Sequence, residues 1–313
     1  TGKQVEQDAG AIQQQVASSI EQMQAKLEGA MSEVFQAQTR EMNRALDGMK
    51  EAVKAAVERT GEGVNNQLQA IDSAMQQEIE RVMNEMGRAL AELNHNPELR
   101  VALLHAHGPH FTAGVELDKW APHFGSGKAF PAAADEIDPF GLSGQRHNKP
   151  IVIAVQGYCF TWGVEVLLNC EVRVAATDTQ FQMLEVQRGI YPCGGGTLRL
   201  PREIGWGNAH KVLLTGDRWS AEDAFRWGMV QELVEPGEQY DRALEIAQRM
   251  ADAAPLGVQG CLKATRFGES HPHDRSACVA QMMTDLVPVM RSEDVQEGVQ
   301  SFIERRAAVF KGR

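Results

Sequence analysis

Two apolar runs that flank a short helix-like segment constrain the fold of this chain most strongly. The runs "KPIVIAVQG" (149–157) and "EVRVAAT" (171–177) are typical of buried strands, and the segment between them is typical of a helix through Leu168. An earlier run, "RVALLHAHG" (100–108), indicates a further buried strand that Gly-Pro closes. Strand, glycine loop and helix thus repeat, which predicts an α/β fold from about residue 72 onward.

Two glutamates stand in these apolar surroundings. Glu165 lies between two valines, and Glu185 lies between a leucine and a valine. A carboxylate in an apolar run must be paired, hydrogen-bonded or used in chemistry, because burying it alone is costly. Taken singly, such a glutamate is more often a residue at a helix end whose carboxylate reaches solvent. Two of them, so close together in the chain, favour one shared explanation.

Composition excludes several classes of protein. At 313 residues the chain has room for about two domains. Its 42 acidic and 31 basic residues give a net charge of −11, which argues against binding to nucleic acid or to an anionic membrane surface. Five cysteines without a C-x-x-C pair indicate reduced thiols in a cytoplasmic protein. No run approaches the ~18 apolar residues of a membrane span, and no signal peptide is apparent, so we expect a soluble, unexported protein.

Residues 1 to about 70 follow a different pattern, with no proline or tryptophan and with apolar residues at a helical period. One ladder with a spacing of eleven residues contains Val5, Val16, Leu27, Met49 and Ile71. Eleven residues over three turns is about 3.67 per turn, which predicts a long amphipathic helix that is nearly straight or gently right-handed. Its acidic excess favours self-association, as in a coiled coil, over lipid binding. Packing of the helix on its own chain is the remaining alternative.

Three smaller motifs suggest sites but are assigned to packing. His105 and His107 would share one face of a strand, and with His110 nearby a zinc pair is conceivable; without a third ligand at a recognised spacing we predict no metal. The glycines at 194–196 lack the G-K-[ST] of a P-loop. Cysteines in apolar surroundings are predicted to be inert core thiols, namely Cys159, Cys170 and Cys193.

Three stretches, in order and with the expected spacing, resemble the crotonase superfamily of enoyl-CoA hydratases and isomerases. They are "HFTAGVEL" (110–117), residues 149–205 with both glutamates, and "VLLTGDRWSAEDAFRWGMVQELVEPGE" (212–238). The resemblance covers about residues 72–313. It implies a spiral of ββα repeats in a trimer or hexamer that binds an acyl-CoA, with no cofactor other than the coenzyme A that the substrate carries.

The resemblance also implies roles for individual residues. Glu165 and Glu185 fall where the hydratases keep their two catalytic glutamates, so that one takes a proton from water and the other delivers a proton to the α-carbon. The backbone N–H groups of Val115 and Trp162 would hold the enolate oxyanion. Further substrate contacts are implied at the following positions: Ala113, Gly114, Gly163, Pro192 and Gly194.

The chain departs from the family pattern at three places. Trp162 stands where glycine is usual, and Glu116 stands where aspartate is usual. The strand hairpin that opens the family fold has no counterpart, since "NNQLQAIDSAM" (65–75) retains only the end of that segment. The sheet edge is thus completed by other strands or by a partner chain, or the helix is fused to a truncated domain.

Together these patterns predict three regions and one leading activity. We expect a helical extension at 1–70, a crotonase-like core at 71–245 and a C-terminal helical oligomerisation region at 246–313. The leading function is hydration of a 2-enoyl-CoA thioester. The alternatives are a double-bond isomerase, which can work with one carboxylate, and a catalytically weak scaffold protein whose helix does the work.

Overall fold

The computed structural model describes residues 83–114 and 136–313, together with five isolated helical positions at Arg44, Gly48, Lys50, Glu51 and Lys54. The chain divides into two compact units, residues 1–74 and residues 75–313. The predicted eleven-residue ladder, its self-association and the segment at 65–75 lie outside the described residues. The limits of the three predicted regions stay predictions.

Two sheets form the centre of the described part of the second unit. The larger has four parallel strands in the order β1-β2-β4-β7, and the smaller has three strands in the order β3-β5-β6, with β3 and β5 parallel and β6 antiparallel. The strands are β1 Ala102–Leu104, β2 Ile151–Val155, β3 Tyr158–Phe160, β4 Val172–Ala176, β5 Gln180–Gln182, β6 Trp219–Ser220 and β7 Glu232–Val234.

Helices precede, connect and follow these strands. The first described helix, α1, covers 83–95 and ends close to Asn94, as the sequence predicts. A short 3₁₀ helix occupies Glu185–Arg188. The others are α2 Trp162–Leu167, α3 Gly196–Glu203, α4 Trp206–Thr215, α5 Ala221–Trp227, α6 Gln239–Asp252, α7 Pro255–Ser270, α8 Arg275–Met290 and α9 Glu293–Glu304. Among the helices in the described part of the chain, none has the length and apolarity needed to cross a membrane.

The core lies on both faces of the larger sheet, which explains why its two central strands, β2 and β4, are apolar apart from Arg173 of β4. All five residues of β2 are buried, and Ala154 lies opposite Val174 of β4. One face packs on α6 through Ala243 and Ala247. The other packs on α2, in a cluster that includes Ile151, Ile153, Val155, Val164, Leu167 and Leu168.

The structure confirms the α/β class and the strands predicted at 149–157 and 171–177, and it corrects two details of the strand at 100–108. Strand β1 is half-buried rather than buried, and among the described strands of its sheet it lies at the end of the order. It also ends at Leu104, so His105 and His107 follow the strand rather than share its face.

Candidate active site

The Glu165 side chain is buried on α2, the helix that follows β3 directly. Its residue is only 3% exposed, and its backbone N–H donates to the Thr161 carbonyl at 3.1 Å. The carboxylate oxygen Oε1 accepts two backbone hydrogen bonds, from Gly194 N–H at 2.7 Å and from Gly196 N–H at 2.9 Å. Gly194 and Gly196 therefore hold this carboxylate in place, although they lie 29 and 31 positions further along the chain.

The glycines of this loop are required by the close approach of the carboxylate. A Cβ atom at Gly194 would lie 2.5 Å from Glu165 Oε2, and one at Gly196 would lie 2.8 Å from Met183 Cε. Gly195 has a φ of 104°, which a side chain rarely adopts. The sequence predicted a substrate contact at Gly194 but not the hydrogen bonds by which Gly194 and Gly196 clamp the Glu165 carboxylate. Three consecutive glycines downstream of a buried carboxylate were the available signal.

Burial controls the protonation of Glu165. Loss of hydration raises the pKa of its carboxyl group to about 7. The two N–H donors of the glycine loop and the charge of Arg199 oppose that rise, because they stabilise the ionised form. At neutral pH the carboxyl group of Glu165 is therefore close to half-ionised, so it can both accept and release a proton.

Glu185 is the second buried carboxyl group, at the first position of the 3₁₀ helix. Its residue is 8% exposed, and its Oε2 atom has no hydrogen-bond partner among the described residues. Burial, with a smaller contribution from the negative charge of Glu165, raises its pKa to about 7. The two glutamates therefore interact electrostatically. Their predicted sharing of one water stays a prediction.

Cys193 differs from its predicted role as a core thiol, and the charges of both carboxylates act on it. Cys159 and Cys170 are buried thiols, as predicted, whereas Cys193 is exposed and does not belong to the core. Partial burial, with smaller contributions from the charges of Glu165 and Glu185, raises the pKa of the Cys193 thiol to about 11. The thiol is therefore protonated at neutral pH and is a weak nucleophile.

The chain around Gly114 lies directly beside the start of α2. Phe160 N–H donates to the Thr112 carbonyl at 3.0 Å. A Cβ atom at Gly114 would lie 2.3 Å from Thr161 Oγ1, and one at Gly163 would lie 2.4 Å from Thr112 Cγ2. The two segments predicted to supply the oxyanion donors thus meet. Val115 itself lies outside the described residues.

Trp162 is the first residue of α2, where backbone N–H groups have no acceptor inside the helix. Its indole Nε1–H donates to Thr112 Oγ1 at 3.2 Å, and its ring lies 6.4 Å from that of Phe140. The large side chain that replaces the usual glycine is therefore held against the 112–114 segment by a defined contact. Thr161, which precedes it, has a φ of 50°, a strained conformation for a β-branched residue.

The remaining predicted contact residues surround this centre. Gly163, Pro192 and Gly194 are buried, Gly114 is half-buried and Ala113 is exposed. A Cβ atom at Gly196 would lie 3.3 Å from Pro192, which places that proline against the glycine loop. Their contacts with a substrate stay predictions.

The histidines of "HAHGPH" make aromatic contacts. The rings of His105 and His107 lie 4.9 Å apart, and His105 also meets Tyr240 at 4.7 Å. His110 stacks on Tyr158 at 4.1 Å, and its Nδ1 accepts the Tyr158 N–H. Within the described ranges, no group of three or more His, Cys, Asp or Glu side chains is arranged to hold a metal ion.

Comparisons with known proteins match the same region. A model of the enoyl-CoA hydratase/isomerase family matches residues 73–313. The carnitinyl-CoA dehydratase of Salmonella typhi is 34% identical over 235 residues, which cover 73% of this chain and 87% of that protein. The crystal structure of a probable enoyl-CoA hydratase/isomerase from Mycobacterium abscessus is 39% identical, with a TM-score of 0.71, and covers 75% of this chain and 89% of that one.

A second solved structure shows the same extent of similarity. An enoyl-CoA hydratase from Mycobacterium marinum is 33% identical, with a TM-score of 0.66, and covers 74% of this chain and 88% of that one. These matches confirm the resemblance found in the sequence and, with it, the crotonase-type fold.

Proposed function

This chain belongs to the enoyl-CoA hydratase/isomerase family and is a crotonase-type acyl-CoA enzyme, and we propose that it adds water across the double bond of a 2-enoyl-CoA thioester with Glu165 and Glu185. The observation that carries the proposal is the pair of buried, interacting carboxyl groups, each with a pKa raised to about 7. Such a pair can hold one proton between two groups near neutral pH.

The surroundings of the two carboxyl groups favour different roles. Two N–H donors and the charge of Arg199 stabilise an ionised Glu165, whereas the charge of Glu165 favours a protonated Glu185. In the proposed reaction Glu165 takes a proton from water while the water oxygen bonds to the β-carbon. Glu185 gives its proton to the α-carbon. The reverse steps remove water.

The negative charge that develops on the thioester oxygen requires donors. We assign these to the backbone N–H of Trp162 at the start of α2 and to that of Val115. Support comes from the adjacency of Gly114 to Thr161 and from the helix start, whose first N–H groups have no intrahelical acceptor. Each such donor typically stabilises the transition state by about 3 kcal/mol. The reaction needs no cofactor beyond the coenzyme A of the substrate.

Hydration is favoured over double-bond isomerisation, which can work with one carboxylate. Both carboxyl groups are kept here, buried and electrostatically coupled. The similar protein of Salmonella typhi is named a dehydratase, and water removal is the reverse of the proposed step. A scaffold with weak catalysis would not require the glycine loop to enclose Glu165 so closely.

Product analysis distinguishes these functions. The purified chain is incubated with 2-enoyl-CoA of short, medium and long acyl chains, and loss of the conjugated-thioester absorbance is followed. We expect turnover on at least one chain length, with 3-hydroxyacyl-CoA as the product detected by mass spectrometry. A 3-enoyl-CoA product without added water would establish the isomerase instead. No turnover on any chain length would favour the scaffold.

A further inference from the structure

A charged cavity of about 270 Å³ lies between the end of α2, helix α3 and helix α7. Neither Glu165 nor Glu185 lines it. Three glutamates and five arginines do, so the charged groups of the wall carry an excess of two positive charges. The arginines are Arg146, Arg173, Arg199, Arg202 and Arg266.

Each glutamate of the wall already has its own arginine. Arg173 forms a two-pronged pair with Glu203, at 3.0 and 3.1 Å. Arg266 donates to Glu171 at 2.6 Å. The third pair joins Arg202 to Glu269 at 2.7 Å.

Two guanidinium groups remain without a carboxylate of their own. Arg146 approaches Glu269 only to 3.9 Å, and that carboxylate is shared with Arg202. Arg199 has no carboxylate within ion-pair distance among the described residues, and it donates to the Phe140 carbonyl and to Asn169 Oδ1. These two groups carry the unbalanced positive charge of the cavity.

Arg146 and Arg199 converge on one neutral acceptor. The Nη2 atoms of Arg146 and Arg199 lie 3.0 and 3.3 Å from Asn169 Oδ1. In the described part of the chain, the buried Nε of Arg146 has no hydrogen-bond partner. Burial and the charge of Arg266 lower the pKa of Arg146, and burial and the charge of Arg146 lower that of Arg199. The charges of the carboxylates Glu269, Glu171, Glu165 and Asp138 oppose these shifts without cancelling them. The two positively charged guanidinium groups of Arg146 and Arg199 are thus close together, and they have more N–H donors than there are acceptors around them.

We propose that this cavity is a binding site for a small phosphate-type oxyanion, held by Arg146 and Arg199. A planar guanidinium offers paired N–H donors that match two oxygens of such an anion. The anion supplies both the missing negative charge and the missing acceptors. A water molecule takes up about 30 Å³ in the liquid, so a cavity of about 270 Å³ has room for one oxyanion with part of its hydration shell.

Arg199 connects this cavity to the glycine loop. Its guanidinium donates to the Gly194 carbonyl at 3.5 Å, and a Cβ atom on Gly195 would lie 2.4 Å from its Nη1. An oxyanion that draws on Arg199 weakens the attraction between its charge and the Glu165 carboxylate. Bound anion should therefore change the pH dependence of turnover, a consequence that rests on the proposed function.

Calorimetric titration with inorganic phosphate tests the site without requiring turnover. Ionic strength is held constant with sodium chloride, so that screening does not vary. We expect saturable binding of one phosphate per chain. Arg146→Gln should weaken it at least about tenfold, because charge-assisted hydrogen bonds are the strong ones. Glu269→Gln should strengthen it by a similar factor, since this change removes a competing carboxylate from the wall. Arg226→Gln, in an exposed pair outside the cavity, is the matched control and should leave binding unchanged.

Glu269→Gln keeps the proposal open to refutation even where Arg146→Gln fails to fold, because the expected change is a gain in phosphate affinity.

A second titration in the presence of saturating coenzyme A identifies the source of the phosphate. Displacement of inorganic phosphate would assign the cavity to a phosphate of coenzyme A, and independent binding would assign it to a free oxyanion. Absence of saturable binding by the parent, or equal affinities in the parent and Glu269→Gln, would overturn the proposal. An inactive chain that binds phosphate would refute the proposed hydration and leave this site standing.

Discussion

The Gly194 N–H donates a 2.7 Å hydrogen bond to Oε1 of Glu165, and the Cα of that glycine faces the second oxygen so closely that no side chain fits between them. The loop therefore holds the Glu165 carboxylate both by the hydrogen bond from Gly194 N–H and by the close packing of the Gly194 backbone. A Cβ atom there would also lie 2.8 Å from the Phe140 ring. The position of Glu165 depends on the absence of a side chain at 194.

Gly194→Ala should displace the Glu165 carboxylate and lower turnover on a 2-enoyl-CoA by roughly 10²-fold, as expected when a catalytic group is misplaced by about 1 Å. Overpacking should also lower the free energy of unfolding by about 1 to 3 kcal/mol. Steady-state kinetics and urea unfolding measure the two effects. Gly207→Ala is the control, since a Cβ atom at that helical position meets nothing within 4 Å. Equal turnover in both variants would contradict the importance of the clamp.

Glu185→Gln should lower turnover by at least ~10²-fold, because the amide keeps the shape of the side chain but cannot give up the proton. The variant is assayed under the same conditions as the parent, after circular dichroism has shown that it folds. Glu222→Gln, on the exposed first turn of α5, is the matched control and should retain parental turnover. An active parent indifferent to Glu185→Gln would remain an enzyme, but Glu185 would not be its acid.

The sequence predicted the elements that carry the site better than the contacts that complete it. Strands β2 and β4 could be predicted because burial on both faces makes β2 a continuous apolar run and leaves Arg173 as the one charged residue of β4. The contact between Gly194 and Glu165 could not, because it joins residues 29 positions apart, and local periodicity carries no information about such pairs.

Cys193 and the arginine cavity show the same limit. Cys193 has buried neighbours at Pro192 and Gly194, yet its own side chain is exposed, since apolar neighbours in sequence do not fix which way a loop residue points. Arg146 and Arg199 come from different parts of the chain and meet only in the folded unit. The resemblance predicts catalytic roles for Glu165 and Glu185, and it does not predict the proposed oxyanion site.

Thr161→Gly should raise the free energy of unfolding by about 1 kcal/mol. The positive φ of this β-branched residue costs on the order of 1 to 3 kcal/mol, and the greater freedom of glycine in the unfolded chain offsets part of the gain. The Thr161 hydroxyl is also buried without a hydrogen-bond partner among the described residues. Thr161→Ala separates the two effects, because it removes the hydroxyl and keeps the Cβ atom. A Thr161→Gly variant that is less stable than Thr161→Ala by about 1 kcal/mol, the entropy cost of glycine alone, would show that the backbone stores no strain.

Helix α8 exposes an apolar face, which supports the predicted role of the C-terminal region in self-association. Its exposed residues are Val279, Met282, Met283, Leu286, Val287 and Met290. In the full chain, Met283→Lys combined with Leu286→Lys should shift the sedimentation coefficient to that of a smaller species, because a charge in an apolar interface is costly. Thr284→Lys adds a charge to another side of the same helix and should leave the assembly intact. Unchanged sedimentation of the double variant would place any self-association elsewhere.

The stability of the fold should depend on pH through the two buried glutamates. Burial raises the pKa of Glu165 and of Glu185 from 4.5 to about 7. The folded chain therefore binds these protons more tightly than the unfolded chain. Stability from the neutral carboxyl groups is fully present below the unfolded pKa and is lost as the pH rises through about 7, by on the order of 1 to 3 kcal/mol for each group.

Urea unfolding of the parent and of Glu185→Gln between pH 5 and pH 8 measures this dependence. The amide does not ionise, so the variant should gain stability relative to the parent as the pH rises across that range. Glu222→Gln provides the opposite case. Hydrogen bonds at the start of α5, the largest from its own backbone, hold the pKa of the exposed Glu222 below its usual value, so it is almost fully ionised in both states above about pH 6. Its stability difference from the parent should therefore stay nearly constant from about pH 6 to pH 8. A constant difference for Glu185→Gln as well would mean that Glu185 is ionised throughout, and the proposed proton donor would be lost.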